Sequence, residues 1–517
     1  MNWKRMITML LTGVLITGLA GCGTQTEAQT QTGSGEAEKP KKNTSDVQSV
    51  DSFTLAYNPA DGMDPLSCAT TENQLLSQLC FERLFVLDDN FEPQKQLCDT
   101  LEQTDDREYR LTIRTDAVFH SGQPVTAEDV VFSLNNARLR EDSRYQEQLC
   151  CISSVKYRED GIIIRLYQKQ ANLASLLDVP VIRKGTNEDE CPDGSGPYRF
   201  VGSEGGALLA PCEHWSGGTI GFCKNISLKQ VNDSAAAANL LSNGELSMMV
   251  RTDAESPKIP GASHVKSVPA ARMHYLGVNC DREPYDDPQV RQALALLMDR
   301  ENIVKICMED RAQAASVPLM PEPKDNENAG YDRGKALELL KDAGIYDRDD
   351  DGYLDVRRGR PFEIEIIYNE KYSTKGAVLQ QYAKTLTEAG IQTTVTPLPF
   401  EKCQGHLRRE SFELYYGEYD MTADFDISSL ISTSGERNFS GYYDSDMEKA
   451  IRDFRSVSGE EREQAVKNYI DCFLQESPII PIAFEHDWIA SAQKFPKHFD
   501  PWPGFIFHNM EKWSASK

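Results

Sequence analysis

Apolar residues change their period along the stretch from Tyr109 to Arg138, and each period specifies an element. Tyr109, Leu111 and Ile113 alternate with Arg110, Thr112 and Arg114, the two-residue repeat of a strand with one buried face. Ser121-Gly122-Gln123-Pro124 then predicts a turn. Thr126 reads as a helix N-cap answered by Asp129 in a capping box, and Val130, Leu134 and Ala137 form the helix's apolar stripe. The same reading predicts a strand over Phe53–Tyr57. A helix opens at Thr70-Thr71-Glu72-Asn73 and runs through Leu75, Leu76 and Leu79 to Phe85. Further along come a helix, glycine turn and strand in Asn239–Met249, with Gly244 as C-cap, and a strand over His274–Asn279. Asp287-Pro288 starts a helix ending near Met298-Asp299-Arg300, and another lies in Tyr331–Gly344, with Ala336, Leu339 and Leu340 inward. Strands follow over Phe362–Ile366 and Gly390–Val395, and a buried one over Pro478–Phe484.

The first residues follow a different logic. Lys4 and Arg5 precede the apolar run from Met6 to Ala20, a basic head and short core of the kind that directs export and is too short to span a bilayer comfortably. Leu19-Ala20-Gly21-Cys22 resembles a bacterial lipobox, which implies cleavage before Cys22 and lipid on its thiol, holding the protein to a membrane without crossing it. Residues 22–50 are polar, without apolar period, and read as a disordered tether. Removing residues 1–21 takes away two basic residues and no acidic one, so the formal charge moves from −25 to −27. Phosphate binding needs basic surface, so nucleic acid is excluded as a partner. The chain beyond residue 51 is long enough for two or three cores.

Catalytic signatures are missing from the sequence. It has no HExxH, no GxSxG and no Walker loop, and its eight histidines are scattered. Carboxylates are numerous enough that an exported hydrolase stays as the alternative class. Asp347, Asp349, Asp351 and Asp355 occupy the first, third, fifth and ninth positions of a calcium loop, but the twelfth is Arg358 where a bidentate Glu belongs. An acidic hairpin tip explains the same residues. Twelve cysteines follow Cys22, with no CxxC pair, and their pairing is left open. No cofactor is expected.

The run FHSGQPVTAEDVVFSL resembles the signature of the family 5 extracellular solute-binding proteins, the peptide- and nickel-type receptors of ABC importers. Four later runs resemble the family in order: GSGPY at 194–198, YLGVN…DPQVRQALALLMDR at 275–300, YDRGKALELLKDAG at 331–344 and PIIPIAF at 478–484. The resemblance implies an α/β, two-lobed periplasmic-binding-protein-like fold of type II. A first lobe would span 51–272 with a subdomain inserted at about 85–188, a second lobe 273–480, and residues 481–517 would return to the first. It implies a monomeric receptor that closes on a peptide or related solute and delivers it to a permease driven by a separate ATPase; nickel-complex and oligosaccharide receptors are the alternatives within the family. By resemblance, Thr70, Thr71, Ser195 and Asn279 lie at the cleft, although Thr70 or Thr71 would serve equally as a helix cap. In the run Phe412–Asp426, Asp424 matches the aspartate that pairs with a peptide's α-ammonium, with Asp426 as neighbouring candidate. The family's tryptophan and proline are absent there, which weakens the peptide assignment. Arg437 is a candidate for a ligand carboxylate or for a structural ion pair.

Overall fold

The computed structural model describes residues 53–515, apart from 203–205, 219–221, 253–258, 260, 324–329, 357–358 and 372. The export signal, Cys22, the tether and Arg358 lie outside the described residues. Among these residues no helix is long and apolar enough to cross a membrane. None of the twelve described cysteines is in a disulfide.

Three sheets organise the chain. Phe53–Tyr57 pairs in parallel with Ile226–Gln230, which continues antiparallel through Leu208–Pro211 to Tyr198–Val201. A second four-stranded sheet, built from Cys98–Asp105, Glu108–Ile113, Gly161–Leu166 and Ile152–Arg158, is antiparallel throughout. Helix Ala127–Leu139 packs on it, and its capping box forms as the sequence requires: Asp129 N–H donates to Thr126 Oγ1 (3.4 Å) and Thr126 N–H to Asp129 Oδ2 (3.0 Å). One core runs under both sheets.

The third sheet has seven strands, with Ile479–Ser491 and His264–Val278 side by side near its middle. These two strands tie the lobes together. Val268 and Ile489 belong to the core of the first lobe, whereas Leu276, Val278, Ile480 and Ile482 belong to a core of the second. Their antiparallel register shifts between Pro269 and Met273, so the ladder is irregular where the chain passes from one core to the other. Deeper in the second lobe, Tyr275 lies opposite Gly417 and Tyr415 opposite Gly277. A Cβ at Gly417 would stand 2.4 Å from the Tyr275 ring, and one at Gly277 2.0 Å from the Tyr415 ring. Each glycine therefore makes room for the tyrosine across from it.

Two elements differ from the sequence reading. The helix expected to reach Phe85 covers Thr71–Cys80 only, and Phe85–Leu87 is a strand. Leu84 N–H donates to Val179 O, and Leu84 O accepts from Gln96 and Cys98, so extended pairing claims residues that also fit the helical stripe. The helix expected to end near Arg300 is two: Pro288–Leu296, capped by Asp287, and Arg300–Cys307, capped by Asp299.

Candidate ligand-binding site

A cavity of about 470 Å³ opens where the irregular part of the hinge meets the first lobe. Helix Thr71–Cys80 supplies Thr71, Gln74 and Gln78, and the first lobe adds Arg83, Arg144, Gln148 and Asp178. The hinge side supplies Ala270, Ala271, Arg272, Asp420, Met421, Glu485 and Asp487. Its size falls within the usual range for small-molecule sites.

Most of its charges already have partners. Arg83 Nη1 donates to both carboxylate oxygens of Asp178, at 2.7 and 2.9 Å. Arg272 Nε donates to Asp420 Oδ1 at 2.6 Å, and its Nη1 reaches Glu485 Oε2 at 3.4 Å. Glu485 Oε1 also lies 2.7 Å from His274 Nε2, and the other ring nitrogen of His274 is 2.7 Å from the Tyr416 hydroxyl. Glu418 bonds Lys375 at 2.7 Å. His274, Glu418 and Glu485 stand close enough to share a metal ion, but both histidine nitrogens are taken and Lys375 already neutralises Glu418. Two charges of the cavity lie outside these pairs. Arg144 rests near the Tyr145 ring and the Cys68 thiol and meets no carboxylate among the described residues. Asp487 is held by none of the hydrogen bonds or ion pairs described for the cavity, and burial pushes its carboxyl up to about 7. Arg272 opposes that rise; Glu485 and Asp420 add to it.

The residues singled out from the sequence fall into several places. Thr71 lines the cavity, whereas Thr70 caps the helix: its Oγ1 accepts from Asn73 N–H (3.4 Å) and donates to Asp61 (2.6 Å). Ser195 is fully buried between Gly194 and Gly196, whose missing side chains let the turn lie on the last carbonyls of helix Thr71–Cys80; a Cβ there would come within 2.1 and 2.4 Å of them. Asn279 holds the second lobe together, its amide donating to the carbonyls of Glu410 and Phe412, each at 2.9 Å. Asp347, Asp349 and Asp355 bring carboxylate oxygens within 4.8 Å of one another in their hairpin, while Asp351 accepts from Tyr353 N–H.

Asp424 lies where the lobes touch. It is buried, and its Oδ2 accepts from Gln170 Nε2 of the first lobe at 2.6 Å, while its Oδ1 accepts from Thr422 Oγ1 at 2.5 Å. Burial first, then neighbouring Asp426, raises its carboxyl, against the pull of Thr422, Arg455 and Gln170. Asp426 pairs with Arg455 at 3.2 Å and accepts from Ser428 N–H at 2.9 Å. Three further contacts join the lobes here. Ala171 N–H donates to Arg455 O at 2.7 Å, Phe91 meets Phe425 edge-on at 5.2 Å, and Arg437 faces Glu147 at 3.7 Å while lying over Tyr419. The run chosen from the sequence thus lies at the lobe junction, and its earlier members Asp420 and Met421 reach the cavity.

Arg83, Arg144, Arg272, Glu485 and Asp487 escaped the sequence reading. The one available signal was Glu485-His486-Asp487, a charged break inside the otherwise apolar strand Ile479–Ser491. Nothing local marks the arginines, because their significance depends on contacts between distant segments.

Comparison with known proteins gives a consistent picture. Residues 92–441 match the family model described as bacterial extracellular solute-binding proteins, family 5 middle. The oligopeptide-binding protein AppA of Bacillus subtilis (strain 168) is 23% identical over 452 residues, covering 79% of this chain and 81% of that protein. Among solved structures, the ABC transporter substrate-binding protein CtaP of Listeria monocytogenes superposes with a TM-score of 0.71 at 19% identity, covering 90% of this chain and 99% of that one. A nickel ABC transporter protein from Bacillus halodurans superposes at 0.73 and 17% identity, covering 88% and 98%.

Proposed function

The chain belongs to the bacterial extracellular solute-binding proteins of family 5, and from that premise we propose that it is the receptor of an ABC importer which captures a short peptide or a related small solute. The cargo sits in the cavity at the hinge, is held while the lobes are together, and passes unchanged to a membrane permease supplied with energy by a separate ATPase. Lipid on Cys22 keeps the monomeric receptor on the outer side of the membrane.

The observation that carries this reading is the placement of the cavity: one wall comes from the first lobe, the other from the irregular segments of the strands that join the lobes. A ligand there touches both sides of a joint and shifts its equilibrium by its differential affinity for the closed form. A micromolar cargo requires about 8 kcal/mol net of ordering costs. Relatives named for oligopeptide binding support peptide as the cargo. A nickel complex, suggested by the B. halodurans relative, has less behind it, because His274, which lies against the cavity carboxylate Glu485, has both ring nitrogens engaged.

Native mass spectrometry on protein purified without refolding tests the proposal. We expect one small molecule per chain, released intact on denaturation. A chain that carries nothing, binds no peptide and converts a substrate catalytically overturns it.

A further inference from the structure

Four carboxylates and three guanidinium groups line the cavity. Pairing removes Arg83 with Asp178, and Arg272 with Asp420 and Glu485. What remains is one carboxyl group on the hinge, Asp487, and one guanidinium on the first lobe, Arg144. Meanwhile Asp424, the carboxylate that family resemblance offers for a ligand amine, already accepts two hydrogen bonds, one of them from the opposite lobe.

We propose that Asp487 receives the ligand's ammonium group and Arg144 its carboxylate, so that the cavity selects an amine-bearing zwitterion such as a short peptide, while Asp424 is a lobe-closing contact. This rests on the receptor reading above and deepens it.

Several observations converge on that assignment. Asp487 lines the cavity with no ion pair of its own among the described residues, and a ligand ammonium supplies one. Burial raises the Asp487 carboxyl against the pull of Arg272, and Glu485 and Asp420 add to the rise, so a further positive charge beside it is favoured. Arg144 offers the planar donor fork suited to a carboxylate. Asp420 and Glu485 are less available, since Arg272 engages both and His274 lies against Glu485.

The test is calorimetry with alanine, dialanine, trialanine, N-acetyl-trialanine and trialanine amide, on the full chain and on D487N, D487S, R144M and D424N, each verified by its thermal melt. In the wild type, acetylation should weaken trialanine binding about 10- to 150-fold, the factor expected for one charged hydrogen bond. D487N and D487S should each lose the same factor for trialanine and nothing further for the acetylated form. R144M should do likewise for the free acid against the amide. D424N should keep the wild-type preference for a free amine, and the single amino acid and the peptides separate the two sources of the zwitterion. The assignment is overturned if D487N binds trialanine like the wild type, or if the amine preference disappears in D424N instead; either result leaves the receptor reading standing. If the wild type takes none of the five probes, the peptide-receptor reading falls and this inference with it.

Discussion

Replacing Gln170 by alanine should loosen the closed form without touching the cavity. Gln170 is not among the residues lining the cavity, and its Nε2 donates to Asp424 Oδ2 at 2.6 Å across a chain separation of 254 residues. Both residues are buried, at 2% and 6% exposure, so water cannot take over the bond while the lobes are together. Once they part, water solvates the Asp424 carboxylate, and the loss therefore falls on the closed state alone. A hydrogen bond to a charged group contributes about 1.5–3 kcal/mol. Of the other junction contacts, Arg437–Glu147 is an exposed pair at 3.7 Å and adds little. The Ala171–Arg455 bond and the Phe91–Phe425 contact remain. The closed-to-open ratio should therefore fall by roughly 10- to 150-fold, and ligand affinity by the same factor where the open form dominates without ligand. Titration calorimetry reads the affinity and small-angle scattering of ligand-free protein reads the opening. Wild-type affinity together with a wild-type scattering profile would refute the reasoning.

Three further outcomes follow from the same structure. Affinity for trialanine should fall as pH drops from 7 to 5, approaching tenfold per unit, because protons compete with the ammonium for the Asp487 carboxylate facing Arg272, Glu485 and Asp420, whose carboxyl is raised to about 7; in D487N calorimetry should show that slope lost. Gly417→Ala forces a methyl group to within 2.4 Å of the Tyr275 ring and should cost about 1–3 kcal/mol, read as a lowered denaturation midpoint; an unchanged midpoint would show that the ring yields freely. Cys22→Ala should move the protein from the membrane fraction to the soluble exported fraction, and persistence on membranes would remove the lipid anchor from the account.

Local rules were legible wherever the residues that decide an element lie close together. The capping box of Thr126 and Asp129, the cap of Asp287 before Pro288, and Gly244 and Gly344 at positive φ after their helices are settled within a few residues. At Phe85 a continuing apolar stripe satisfies helix and strand alike, and only pairing with distant residues near Val179 and Gln96 decides between them. The site shows the same limit. Thr70 and Asn279 stand in runs that mark the fold, and their side chains are spent on capping and on bracing a strand. Asp487 and Arg144 are ordinary charged residues until folding sets one on each wall of a cavity; their separation along the chain offers no pattern to read.

The most direct test of the receptor account is small-angle scattering on one preparation, stripped of bound small molecules and then resupplied with them, with mass spectrometry on the same sample. The account predicts that the radius of gyration falls when the cargo returns and that the cargo comes off with its mass unaltered. Superimposable scattering profiles, with a new chemical species accumulating beyond one per chain, would contradict it.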